Sequence, residues 1–163
     1  MRIQELVQEL KSLPNCIVHP PGGTPKLEEI HVLPNDITEF YNICGGIDLF
    51  ITSEYSISIS SPNKFELANP IIIGERGEYD ISCEWYIIGS DKNNDYITVD
   101  LNSERFGRCY DSFWDRHGVV GDCSIIATSF TQLLELLLKN RGQNFYWLEK
   151  NFTSLGDAYD DLY

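Results

Sequence analysis

Basic residues are scarce in this chain: 12 lysines and arginines face 25 acids, for a net charge of −13. A surface this acidic repels phosphate backbones, which disfavours direct nucleic-acid binding. Long apolar runs are also lacking, since no stretch approaches the ~18–20 apolar residues that cross a bilayer. The start, Met1-Arg2-Ile3-Gln4-Glu5-Leu6, is amphipathic and acid-bearing, unlike the core of a signal peptide. No membrane partner is therefore expected, and a cytoplasmic location is. Paired cysteines are missing too: Cys16, Cys44, Cys83, Cys109 and Cys123 are odd in number, scattered, and never form a CxxC pair. That pattern reads as reduced, mostly buried thiols, not as a disulfide framework or a zinc site.

Catalytic spacings are equally sparse. His19, His31 and His117 lie in proline-rich or polar loops, none with a ligand partner at i+3 or i+4. Gly74-Glu75-Arg76-Gly77 lacks the lysine and hydroxyl of a phosphate loop. Asp91-Lys92-Asn93-Asn94-Asp95 lacks the glycine and distal glutamate of a calcium loop, and turn chemistry describes it better. No enzyme, metal or cofactor is expected. A site assembled from distant carboxylates stays open, because that geometry is long-range.

What is present is enough for one domain of 163 residues, 42% of them hydrophobic. Ile3, Leu6, Val7, Leu10 and Leu13 recur at helical spacing, and Pro14 ends that helix. A Pro/Gly loop, His19-Pro20-Pro21-Gly22-Gly23-Thr24-Pro25, completes the first thirty residues. A second helix begins near Pro34 with Asp36 and Glu39 at its positive end, and Gly45-Gly46 stops it. The period then changes to two. Tyr55, Ile57 and Ile59 alternate with serines, and the short apolar run Ile71-Ile72-Ile73 follows among the strands. Trp85 to Gly89 and Tyr96 to Leu101 predict an antiparallel hairpin, with residues 107–113 as the next strand. Ser129 and Gln132 form a capping box for a closing helix that runs to Gly142. Phe145-Tyr146-Trp147-Leu148 is expected to cover a sheet edge, and residues 150–163 form an acidic tail expected to be loose. Helices, then strands, then a helix make the class α+β.

Charge is unevenly placed. From Glu75 to Asp100, the acids Glu75, Glu78, Asp80, Glu84, Asp91, Asp95 and Asp100 face only Arg76 and Lys92, with Tyr79, Trp85, Tyr86 and Tyr96 interleaved. Aromatics among carboxylates suit a basic protein surface, the rings giving contact area and the acids steering. The competing reading makes the strand aromatics core and the acids the wet face of a hairpin, and it is favoured for the aromatics inside the strands. For the loop residues Glu75, Glu78, Tyr79 and Asp80 the two readings balance, because loops carry function. The candidate partner-binding residues are Glu75, Glu78, Tyr79, Asp80, Glu84, Asp91 and Asp95.

Three segments, in order, resemble one family. Leu33-Pro34-Asn35-Asp36-Ile37-Thr38-Glu39-Phe40-Tyr41 with Cys44-Gly45-Gly46 resembles the "LPxDxxxFY…NGG" signature of the SUKH superfamily, which includes the Smi/Knr cell-wall regulators of yeast. Trp85-Tyr86-Ile87-Ile88-Gly89-Ser90-Asp91 with Asp95 to Asp100 resembles its "YIIAxDxxGDxIxxD" hairpin. Residues 126–134 resemble its "IAxSFxEFL" helix. Cys44, Gly89 and Asn94 depart from the usual Asn, Ala and Gly at turn or strand-end positions. The resemblance implies a single SUKH-like domain over residues 1–163, an antiparallel sheet flanked by N-terminal and C-terminal helices. It also implies an immunity protein that binds and neutralises a cognate polymorphic toxin, a basic nuclease domain, by stoichiometric contact. The alternative within the family is a regulatory or scaffold module without a toxin partner. Exposed strand edges leave both monomer and homodimer open.

Overall fold

The computed structural model describes residues 1–162. Its centre is a seven-stranded antiparallel meander in which every strand pairs with its neighbours in sequence. The strands are β1 (Ile17–Val18), β2 (Ile47–Leu49), β3 (Ile57–Ile59), β4 (Trp85–Asp91), β5 (Tyr96–Asp100), β6 (Cys109–Ser112) and β7 (Ile125–Ala127). Alternation along β4 to β6 divides the core between the two faces. Tyr86, Ile88, Ile97, Val99 and Cys109 join the larger core. There they meet α1 (Ile3–Ser12), α2 (Asn35–Ile43) and α4 (Phe130–Asn140), whose apolar stripes close that side. Trp85, Ile87, Tyr110 and Ile125 belong to a smaller cluster, capped by α3 (Ala68–Ile72) and by the chain end at Ala158 and Tyr159.

Local chemistry explains the long elements. In α1, Ile3, Leu6, Val7 and Leu10 are buried, and Glu5 reaches back to the Arg2 N–H. In α4, the Ser129 side chain accepts from the Gln132 N–H at 3.1 Å. The double glycine after α2 has a packing reason: a Cβ on Gly45 would stand 2.2 Å from the Pro20 carbonyl oxygen. The Pro/Gly loop thus lies directly on the helix end.

Three expectations change. Ile71-Ile72-Ile73 is not part of a strand but the end of α3 and its cap. Pro70 sits in the first turn of that helix, where its missing N–H breaks no ladder. Tyr55 falls in a turn outside β3, because pairing with β2 and β4 begins only at Ile57. The acidic end is docked, not loose: Ala158 N–H donates to the Cys123 carbonyl at 2.9 Å, and Asp157 bridges Ser124. Tyr163, the last residue of that expected tail, lies outside the described residues. The aromatic stretch behaves as anticipated, with Tyr146 Oη donating to the Ile126 carbonyl of the outer strand β7 at 2.6 Å. All five cysteines are free thiols, and Cys16, Cys44, Cys109 and Cys123 are buried. No helix among the described residues is long and apolar enough to cross a membrane.

Candidate functional site

In α3 and the loop after it, the burial order is locally inverted: Asn69 and Ser82 turn inward while Ile71, Ile73 and Tyr79 face water. Asn69, in the first turn of α3, is the keystone. It is 1% exposed. Its Nδ2 donates to the Arg76 carbonyl at 2.8 Å and to Ser82 Oγ at 3.0 Å. Its Oδ1 therefore accepts, and the partner is His117 Nε2 at 2.6 Å. This fixes the tautomer: Nε2 carries the proton, and Nδ1 is buried without a partner. Protonating Nδ1 there would bury a charge, so burial drives the His117 pKa down to about 4, against a smaller upward pull from Asp80.

The segment between Asn69 and Ser82 is held from beneath at several points. Gly77 takes a positive φ of 62° over Asn69, where a Cβ would come within 2.9 Å of Nδ2. Asp80 caps the turn Ile81–Glu84 by accepting from Ser82 N–H at 2.9 Å, and it also accepts from Tyr159 Oη at 2.7 Å. Arg76 reaches across to Glu28 in a two-pronged ion pair, which holds the Glu28 carboxyl below the usual carboxylate range. Facing water in this segment are Ile71, Ile73, Glu75, Glu78, Asp80 and a fully exposed Tyr79. With Arg76 engaged by Glu28, the local charge offered outward is negative.

A second loop stands beside the first. His117 belongs to it, so the Asn69 hydrogen bond is also the seam between the two loops. Its outer residues are Trp114, 78% exposed, with Val119 and Val120. Arg116 turns inward to the buried Asp111 carboxylate at 2.7 Å, and Gly121 N–H donates to Asp157 at 3.1 Å. Trp114 N–H donates to Asp95 at 3.0 Å, fixing the base of the indole. Nothing in the local pattern singled out Trp114, Val119 or Val120; the available signal was apolar residues in a loop that also carries Asp115 and Asp122.

The seven candidate residues thus separate. Glu75, Glu78, Tyr79 and Asp80 all lie on the exposed rim, and Asp80 also anchors the loop through Ser82 and Tyr159. Glu84 lies further along, at the end of the capped turn, in the lining of a cleft. Asp91 and Asp95 serve the fold. Asp91 is 9% exposed and accepts from the N–H groups of Asn93 and Asp95 at 2.8 and 2.9 Å, closing the hairpin. Asp95 is engaged by Trp114 as described. Asp100, the last acid of that run, is fully buried among Trp85, Arg105 and Tyr110. Trp85 and Tyr86 are core, as expected of aromatics inside the strands.

Residues 28–136, which hold both loops and the cleft, match the SMI1 / KNR4 family (SUKH-1). The chain belongs to this family. It is also 50% identical over 162 residues to Immunity protein YokJ of Bacillus subtilis (strain 168), covering 99% of this chain and 98% of that one. No solved structure matches it. The SUKH-1 match begins at Glu28, the partner of Arg76, and ends within α4. It leaves out α1 and the docked chain end, both of which the YokJ alignment spans.

Proposed function

We propose that this SUKH-1 protein is a cytoplasmic immunity protein that binds a cognate toxin and neutralises it by stoichiometric contact. The observation that carries the reading is the near end-to-end likeness to a protein named as an immunity protein. The toxin domain is a basic nuclease. Such a domain needs cations to hold its substrate, and a protein of charge −13 is drawn to that same surface. The protein acts as a monomer or homodimer and takes no cofactor.

Contact is made through the paired loops, with Tyr79 and Trp114 as anchors and Glu75 and Glu78 steering. Large exposed aromatics have the surface and the low rotamer cost typical of binding hot spots. Because Asn69, His117 and Asp80 already fix the loops, little ordering entropy remains to be lost on association. The test is co-expression with the toxin encoded beside the gene, then co-purification and nuclease assay on RNA and DNA. Rescue of growth with a one-to-one complex is expected. Growth arrest despite abundant folded protein would end the proposal.

A further inference from the structure

Residues 30–32 and the turn after β5 form two walls of a cleft of about 310 Å³. Both walls repeat the inverted burial order. His31 is turned in, its Nδ1 sharing a 2.8 Å hydrogen bond with Tyr86 Oη, while Ile30 and Val32 on either side are 78% and 66% exposed. In the opposite wall, Arg105 is drawn inward onto Asp100 at 3.0 Å, and the next residue, Phe106, is left 40% exposed. Holding aliphatic and aromatic groups in water is unfavourable unless something covers them in use. Glu84 is the acidic residue of the lining. Two cations on the adjoining segments are engaged elsewhere, Arg76 by Glu28 and Arg105 by Asp100. Among the described residues, Glu84 has no ion-pair partner.

We infer that this cleft receives one long basic side chain, an arginine or lysine, from the protein surface that this chain binds. The chemistry matches along the length of such a side chain. Its aliphatic stem packs on Ile30 and Val32, and its cation meets the Glu84 carboxylate beside the Phe106 ring. The volume lies at the bottom of the range for small-molecule sites, roughly 300–1,000 Å³, and suits a single side chain. A net charge of −13 selects basic surfaces as partners. The cleft also adjoins the exposed loops, because the Glu28–Arg76 pair ties its 30–32 wall to residues 75–80.

This inference rests on the immunity reading, and its test separates the two. Calorimetry measures Kd for the toxin domain encoded beside the gene with the wild-type chain, Glu84→Gln, Ile30→Ser and Glu39→Gln. The last removes the same charge from an exposed position on α2. Glu84→Gln is expected to raise Kd by about 10–100-fold, the loss typical when one partner of a contact charge pair is removed. Ile30→Ser should raise it several-fold, and Glu39→Gln should leave it near wild type. All three positions are at least partly exposed, so melting temperatures should not move. If wild type binds while Glu84→Gln behaves like Glu39→Gln, the cleft assignment is overturned and the immunity reading stands. If the wild-type chain does not bind the toxin, both fall.

Discussion

His117 links stability to acidity in a way that can be measured. In the folded protein its Nδ1 is buried and unpartnered, and its pKa falls from 6.5 to about 4 because burial disfavours the charged ring. In the unfolded chain it titrates at the ordinary value. Between those two values the unfolded state binds a proton that the folded state refuses, so stability falls as pH drops. The contribution is intact above about pH 6.5, has lost about 2 kcal/mol by pH 5, and levels off near 3 kcal/mol below pH 4. Glutamine is the informative replacement, because its amide N–H can still donate to Asn69 Oδ1 without titrating. Urea unfolding of wild type and His117→Gln at pH 7, 6 and 5 isolates the term, since the carboxylates are common to both. The variant should start about 1 kcal/mol less stable from imperfect packing, then close that gap and pass the wild type by pH 5. Parallel stability profiles would refute the argument, and would mean that water or a carboxylate reaches Nδ1.

Other outcomes follow from the same contacts. Asn69→Ala leaves the His117 Nε2 proton and the Arg76 carbonyl without their partner, and denaturant unfolding should record a loss of about 1–3 kcal/mol. Tyr79→Ala and Trp114→Ala should each change stability by less than about 0.5 kcal/mol, yet weaken toxin binding by about 2 kcal/mol or more. Unchanged affinity by calorimetry in both would move the interface away from the loops. Asp91→Ala should do the reverse, lowering the melting temperature through the lost hairpin contacts while affinity per folded molecule holds. Association with the toxin, followed by stopped flow, should slow steeply as salt rises, and a flat dependence would reduce the acidity to a solubility device.

Periodicity and turn chemistry are properties of neighbours in the chain, and they were legible. The helical spacing of Ile3 to Leu10, the Ser129 cap and the Asp91-to-Asp95 turn between β4 and β5 all act within a few residues, and each is where the sequence put it. The acidity that favours a basic partner is likewise a matter of composition alone. Ile71-Ile72-Ile73 misled because a three-residue apolar run has no period, and only Pro70 in the preceding turn marks it as the end of a helix. The docked chain end depended on a slot beside Cys123, 35 residues earlier in sequence. The candidate site was half visible for the same reason. Glu75, Glu78 and Tyr79 stand out as a charged, aromatic, glycine-bounded loop. Which acids remain free is a question of hydrogen bonds, and Asp95 is taken by Trp114 across 19 residues. The seam between the two loops is one contact, Asn69 to His117, made across 48 residues. No local pattern encodes such a pairing, because it exists only once the sheet has brought α3 and the turn after β6 to the same face. Sequence determined the long helices, the central hairpin and the sign of the charge; the tertiary structure decided the short strands and α3, and which side chains are engaged and which are left to meet a partner.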